Sequence, residues 1–246
     1  MKKLFTLMAI FATLAAAVCC NGDDPANRDN EEEEEEEVDK VAITIDGEFA
    51  DWALLDRGSY AVAQNDPDSP WPAVEQIRVY PTSEFVFYYI KFKEDTLTEL
   101  LENEAEELPI RLCINTDNEF TTGYKNYFLD PYDFIVEGAL AAGGAFTDYV
   151  GNIHQRIGDW VAFEGNPVMG KGAGSEYEIM LVRELFNAAI ATSEVPMPLR
   201  DTLQTGIRFY TTGTGHWDEL SNMPNTAKGD GGNGWGHLLE VVLPAE

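Results

Sequence analysis

Apolar and polar residues alternate in short runs along the chain after residue 40, and a period of two is typical of β-strands. The pattern predicts strands at residues 41–45, 77–80, 85–92, 109–114, 134–136, 146–150, 153–157, 160–164, 177–182, 207–210 and 238–243. The run 85–92 is apolar on both faces, which indicates a central strand. About 205 residues with this pattern predict one all-β domain rather than two.

Two segments depart from the strand period and indicate short helices inserted between strands. Thr96 and Glu99 form a capping box that opens a helix of about ten residues. Residues 183–191 change to helical spacing, with Leu185, Phe186 and Ala189 on one side. The chain is therefore expected to contain one or two short helices.

The first twenty residues have the pattern of an export signal. Lys2 and Lys3 precede an apolar run at residues 4–18, which is shorter than the roughly twenty residues of a spanning helix. Cys20 and the acidic residues after it resemble the lipobox and surface-export signal of Bacteroidetes lipoproteins. Cys19 is the competing anchor, and a simple cleaved secretory peptide is the other alternative. We expect lipidation at Cys20 and attachment to the outer membrane by the lipid anchor only.

Residues 21–40 contain a run of seven glutamates at 31–37 and almost nothing apolar, which predicts a disordered, extended tether. The whole chain carries a formal charge of −28. A surface this acidic repels nucleic acid and anionic polysaccharide. The expected partners are therefore neutral molecules, or molecules bridged by a metal ion.

Oxygen-bearing residues are concentrated in the connection after the strand at 109–114. Asn115, Asp117 and Glu119 fall on alternate positions, like the donors of a calcium loop, and Asp133 and Glu137 follow. The spacing is not that of an EF-hand, and the alternative is a polar turn that binds no ion. Calcium is the one cofactor that the sequence suggests.

Several motifs resemble the family 9 carbohydrate-binding modules and the related DOMON-like domains. The first is Ile45-Asp-Gly-x-x-x-Asp51-Trp52 at the opening strand. It is followed in the family's order by Asn115-Thr-Asp117, Thr122-Gly-Tyr124, Asp133 and Glu137-Gly138. The resemblance implies an antiparallel, jelly-roll-like β-sandwich over residues 41–246. It also implies structural roles for Asp51, which fixes the turn, and Trp52, which packs under the sandwich.

Three tryptophans fall in segments predicted to be loops. Trp71 lies between two prolines, while Trp217 and Trp235 lie in a long predicted loop at 211–236, where Asp218 follows Trp217. Flat aromatic rings with nearby carboxylates and amides are what a sugar-binding site requires. We expect these four residues to bind ligand; the alternative for each tryptophan is packing in the core.

Catalytic motifs are not recognisable in the sequence. There is no nucleophile elbow and no His-Glu-x-x-His, and the three histidines are not at metal-ligand spacing. We therefore expect a non-catalytic surface lipoprotein that captures a neutral oligo- or polysaccharide. The alternatives are a glycoside-active enzyme, which needs only two carboxylates, and a structural or adhesive subunit that binds a protein of an outer-membrane complex.

Overall fold

The computed structural model describes residues 42–67, 73–94, 107–125, 129–211, 218–225 and 236–245, all within the unit Lys40–Glu246. The predicted signal segment at 1–20 with Cys19 and Cys20, the tether at 21–40 and the helix from Thr96 lie outside these ranges. The proposals for those segments stay predictions.

The described chain consists of strands, one 3-10 turn at Asp51–Ala53 and the helix α1 (Arg183–Ile190). In chain order the strands are β1 (Ala61–Gln64), β2 (Val74–Pro81), β3 (Phe85–Phe92), β4 (Glu107–Asn115), β5 (Phe134–Ala142), β6 (Ala145–Phe146), β7 (Asn152–Ile157), β8 (Asp159–Phe163), β9 (Val168–Ala173), β10 (Glu176–Val182), β11 (Thr202–Thr211), β12 (Asp218–Met223) and β13 (Leu239–Val242).

The strands form two sheets whose pairings are antiparallel. Sheet A has the order β1-β2-β3-β10-β9. Sheet B has the order β12-β11-β4-β5-β7-β8, with β13 also paired to β11 and β6 to β5. The main core lies between the sheets, where inward side chains of both meet; among them are Ile77, Ile90, Leu112, Val136, Ile179 and Ile207. The expected antiparallel all-β sandwich with a short inserted helix is confirmed.

A hydrogen bond joins the two layers inside this core. The hydroxyl groups of Tyr88 in sheet A and Thr205 in sheet B lie 3.0 Å apart, and the Thr205 hydroxyl also donates to the carbonyl of Cys113 at 2.9 Å. Burial raises the pKa of Tyr88, so its hydroxyl stays protonated. A satisfied polar pair in an apolar core fixes one relative position of the sheets.

The strap, which we define as residues 42–60, covers the outer face of sheet A. Ile43, Trp52 and Leu55 pack there against sheet residues that include Phe87 and Tyr89. The prediction of a strand at 41–45 was wrong, because residues 42–45 pair with no strand of the described sheets. Their alternation reflects packing across the sheet rather than hydrogen bonding within it.

Glu178 fixes the strap to sheet A. One carboxylate oxygen accepts the N–H groups of Asp46 and Gly47, each at 2.9 Å, and the other accepts the indole N–H of Trp52 at 3.2 Å. Asp51 in turn accepts the N–H of Thr44 at 2.9 Å. The structural roles expected for Asp51 and Trp52 are confirmed.

Three strands, β1, β9 and β12, were not predicted from the sequence. β9 contains Gly170 and Gly172, which interrupt the apolar alternation. β12 lies within the segment 211–236, which was predicted to be a continuous loop. Its first residue, Asp218, pairs with Thr211 across the sheet, so the backbone of Asp218 belongs to a strand and not to the expected loop.

Candidate functional site

The outer face of sheet B carries polar and aromatic residues on neighbouring strands. In β4 and β5 the residues opposite each other include Arg111 and Glu137, and in β7 and β8 they include Arg156 and Trp160. Arg111 and Glu137 alternate with core residues along their strands, and Arg156 follows the buried Gln155, so these side chains point away from the core. Trp160 lies opposite Arg156 and shares its face. Antiparallel pairing thus brings together residues that are up to 49 positions apart in the sequence.

These strands enclose a pocket of about 200 Å³ on that face. Its lining residues are Arg111, Ile135, Glu137, His154 and Trp160. The pocket is smaller than the roughly 300–1,000 Å³ of sites for drug-sized ligands. We expect it to hold a single ring or a group of similar size.

Arg111 is fixed at one side of the pocket by its neighbours. Its Nε lies 2.5 Å from a carboxylate oxygen of Glu137, its Nη1 donates to the Tyr210 hydroxyl at 3.1 Å, and its guanidinium lies 4.6 Å from the centre of the Tyr210 ring. Burial lowers the pKa of Arg111, but Tyr210 and Glu137 raise it and the net shift is upward. The guanidinium therefore stays charged and preorganised.

His154 contributes an unsatisfied polar atom. Its ring nitrogen Nδ1 is buried and has no hydrogen-bond partner within the described part of the chain. A buried polar group without a partner costs roughly 1–3 kcal/mol, and such a group often marks a functional position. His154 lies on β7 opposite Ile135 of β5, both of which line the pocket.

Trp160 belongs to an aromatic stack next to the pocket. Its ring centre lies 5.4 Å from that of Tyr124 and 6.4 Å from that of Tyr132, and the guanidinium of Arg156 lies 5.7 Å from the indole. Tyr132 is itself fixed because its hydroxyl accepts a hydrogen bond from Arg208 at 2.6 Å. The indole is therefore held in one orientation while it stays partly exposed.

Sequence reasoning missed this pocket because Trp160 was interpreted only as the first residue of a strand. The sequence did contain a usable signal. If Phe163 is assigned to the core, Trp160 and Ala162 must belong to the opposite face of the same strand, and Phe163 does pack in the core. What one sequence lacks is the order of the strands, and that order makes Trp160 a neighbour of Arg111 and Glu137.

The predicted calcium loop is held by its own side chains. Asn115 Oδ1 accepts the N–H of Asn118 at 2.8 Å, and Asp117 Oδ1 accepts the N–H of Glu119 at 2.8 Å. Asp133 is brought against the loop, where its carboxylate accepts the N–H of Thr116 at 3.0 Å. The side-chain oxygens of Asn115, Asp117 and Asp133 therefore already accept N–H groups of the same loop, to which Glu119 contributes its backbone N–H.

Glu137 lies apart from that loop. It follows Asp133 by four residues along β5, which corresponds to about 13 Å, and it is paired with Arg111. Among the described residues, no group of three or more His, Cys, Asp or Glu side chains has a geometry that could hold a metal ion. The calcium site stays a prediction that rests on the loop and Asp133.

Trp71, Trp217 and Trp235 lie outside the described residues, and only the ends of their loops are described. Asn225 joins two of these ends: its Oδ1 accepts the N–H of Asp66 at 2.9 Å and its Nδ2 donates to Asn65 at 2.6 Å. Asn65 and Asp66 follow β1, and Asn225 follows β12, which Asp218 opens. The loops of Trp71 and Trp235 therefore leave the described structure close together, whereas the loop of Trp217 joins β12 at its opposite end, at Asp218.

A larger cleft lies elsewhere, beside α1, with a volume of about 740 Å³. Its lining includes Phe85, Arg183, Glu184 and Asn187. Arg183 is buried there and donates to the carbonyls of Ser83 at 2.6 Å, Pro244 at 2.9 Å and Arg200 at 3.2 Å. The cationic side chain of this cleft thus joins chain segments. We therefore regard the smaller pocket as the better candidate.

None of the helices in the described ranges has the length and apolar character that crossing a membrane requires. No family model, curated protein or solved structure gave a significant match to the chain.

Proposed function

We propose that this protein captures a neutral glycan without modifying it, and that one sugar ring occupies the pocket on the outer face of sheet B. The observation that carries the proposal is the pocket lined by Trp160, His154, Arg111 and Glu137. An immobilised indole beside fixed hydrogen-bonding groups is the combination that a pyranose requires.

The chemistry of a sugar ring fits this lining. The apolar C–H face of a pyranose packs on an aromatic ring, which Trp160 supplies. Its hydroxyl groups both donate and accept hydrogen bonds, so Glu137 accepts from one hydroxyl while His154 and Arg111 donate to others. A carboxylate in the pocket, in a chain of formal charge −28, disfavours an acidic sugar.

The loop residues Trp71, Trp217, Trp235 and Asp218 remain part of the proposal as a second contact region. For Trp71 and Trp235, support comes from Asn225, which joins the described ends of their two loops; Asp218 and the loop of Trp217 lie at the other end of β12. A glycan of several units would then contact more than the single pocket. Lipidation at Cys20 and the acidic tether would hold this domain off the outer membrane.

The proposal is tested by fluorine NMR of protein labelled with 5-fluorotryptophan, which gives one resonance for each of the five tryptophans. The test ligands are tetraoses of cellulose, xylan, mannan and laminarin, with oligogalacturonate as the acidic comparison. We expect a neutral tetraose to shift the Trp160 resonance in a saturable way. Trp52, which is 2% exposed, is the internal control and should not shift.

Variants connect the signal to the pocket. In isothermal titration, which does not need the Trp160 resonance, Trp160→Ala and Glu137→Gln should each weaken binding of the responding tetraose by about tenfold, which corresponds to ~1.4 kcal/mol. Leu54→Ala, at a 70% exposed position on the strap, is the matched control and should leave affinity unchanged.

Three other outcomes would contradict the proposed site, the proposed ligands or the absence of catalysis. Shifts at Trp71, Trp217 or Trp235 without Trp160 would move the site to the loops. A folded protein with no shift for any neutral tetraose would exclude these glycans as ligands. Release of shorter sugars during incubation, seen by chromatography, would show an enzyme instead.

A further inference from the structure

β8 forms one edge of sheet B. It pairs with β7 from Ile153↔Phe163 to Ile157↔Asp159, and no described strand pairs with its other side. In a strand, backbone groups of every second residue point to each side. The outer edge of β8 therefore presents N–H and C=O groups that another strand could bind.

Natural edge strands are usually protected from pairing by lysine, proline or a bulge. β8 reads Asp-Trp-Val-Ala-Phe, and its pairing with β7 shows no shift of register. β9, at the corresponding edge of sheet A, differs because Tyr149 forms a bridge with Gly170 there. The β8 edge thus lacks lysine, proline and a bulge, and its protection is limited to its length of five residues and the charge of Asp159; the β9 edge is partly covered.

An apolar groove of about 200 Å³ lies beside this edge. It is lined by Ile157, Val161 and Phe163 on one side and by residues 192–194 on the other. Val161 is 42% exposed. A strand added to β8 would place one of its inward side chains next to Val161, which lines this groove.

The far wall of the groove is held in place by β7. The side-chain amide of Gln155 donates to the carbonyl of Val195 at 2.8 Å and accepts from the hydroxyl of Ser193 at 2.5 Å. Gln155 is fully buried. The groove is thus preformed, so binding requires little ordering of the chain.

The charges at the groove select the partner. Asp159 lies two residues before Val161 and shares its face of β8, and Glu194 lines the opposite wall. Neither Lys nor Arg is among the described residues that line the groove. A second copy of this chain would bring its own Asp159 and Glu194, so its approach would add like charges.

We infer that the β8 edge binds an extended segment of a partner protein by strand addition. The segment carries an apolar residue for the groove, flanked two residues away on each side by Lys or Arg. This site is separate from the glycan pocket, although Trp160 of the same strand faces the pocket from the other side of the sheet.

The test uses the fluorescein-labelled, amidated peptide Thr-Lys-Thr-Val-Thr-Lys-Thr with the folded protein at low salt. Fluorescence polarisation should show saturable binding. The peptide with Glu in place of both Lys should bind at least about tenfold more weakly. The Lys peptide methylated on alternate backbone nitrogens should lose binding, because strand pairing needs those N–H groups. Attraction between charges alone would leave its binding unchanged.

Val161→Lys should abolish binding of the Lys peptide by filling the groove with a like charge. Met169→Lys, on the edge strand β9 and 49% exposed, makes the same change of charge and should retain binding. Equal loss in both variants, or equal binding of the Lys, Glu and methylated peptides, would overturn the inference. So would a dimer in sedimentation that Val161→Lys alone dissociates, because the edge would then bind a second copy.

Discussion

Asp133 is a buried carboxyl group whose position makes stability depend on pH. Burial raises its pKa from 3.8 to about 6, the hydrogen bond from the Thr116 N–H opposes this, and the charge of Asp117 adds to the rise. Because the folded pKa lies above the ordinary value, the protonated form favours folding. This contribution is complete below about pH 4 and is lost as the pH rises through 6.

We therefore expect Asp133→Asn to flatten the pH dependence of stability. Between pH 4 and pH 7 the unfolding free energy of the wild type should fall by roughly 2 kcal/mol relative to that of the variant. Urea unfolding at several pH values, with a chelator present, measures this difference. Burial also raises the pKa of Glu178. The contribution of Glu178 is the same in both proteins and cancels in the comparison. If the unfolding free energies of the two proteins changed in parallel with pH, ionisation of Asp133 would not destabilise the fold and the prediction would be wrong.

At the scale of elements, β9 shows how glycine supports a strand that the sequence pattern hides. A Cβ placed on Gly172 would enter the rings of Tyr177 and Phe146. Those rings pack edge to face at 5.2 Å, so they cannot both move away without loss of contact. Gly172 interrupts the apolar alternation because it has no side chain. For the same reason, β9 can pack closely against Tyr177 and Phe146.

Gly172→Ala is therefore expected to lower the unfolding free energy by about 1–3 kcal/mol through overpacking. Gly58→Ala is the control, because a Cβ at Gly58 would have no heavy atom within 4 Å. Urea unfolding of the two variants gives the comparison. If both variants matched the wild type, the sheets would have room for a methyl group at this position.

The sequence predicted the elements with regular alternation. Strands at 85–92 and 177–182 and the helix after 182 lie where expected, because each combines a strong period with clear ends. Prediction failed where tertiary packing replaces local pattern. Residues 42–45 alternate without pairing, and the order of β4, β5, β7 and β8 is not encoded in any one of them. The loop around Asn115 was located correctly, while the pocket at Trp160 needed the strand order.

At the scale of the whole molecule, the strong acidity means that any cation raises stability to some degree by screening repulsion. A specific calcium site must therefore be separated from this background. With calcium at a hundredfold excess over its Kd, a ligand bound only by the folded state adds about 2.7 kcal/mol. This corresponds to a rise in Tm of roughly 5–10 °C for a domain of this size.

We expect calcium to raise Tm by more than magnesium at equal concentration, both compared with chelator by scanning calorimetry. Asp117→Asn keeps the side-chain oxygen that accepts the Glu119 N–H but removes one charge, so it should abolish the difference between the two ions. Equal rises for both ions in the wild type would mean that the loop is a turn stabilised only by screening.

The strap has a consequence for where this domain starts. A fragment that began at Ala61, the first strand residue, would leave Tyr80, Phe87 and Tyr89 uncovered and the carboxylate of Glu178 without its three donors. Such a fragment would be prone to aggregate, although every strand of the described sheets would still be present. A boundary drawn from strands alone would therefore cut through a layer of the native fold.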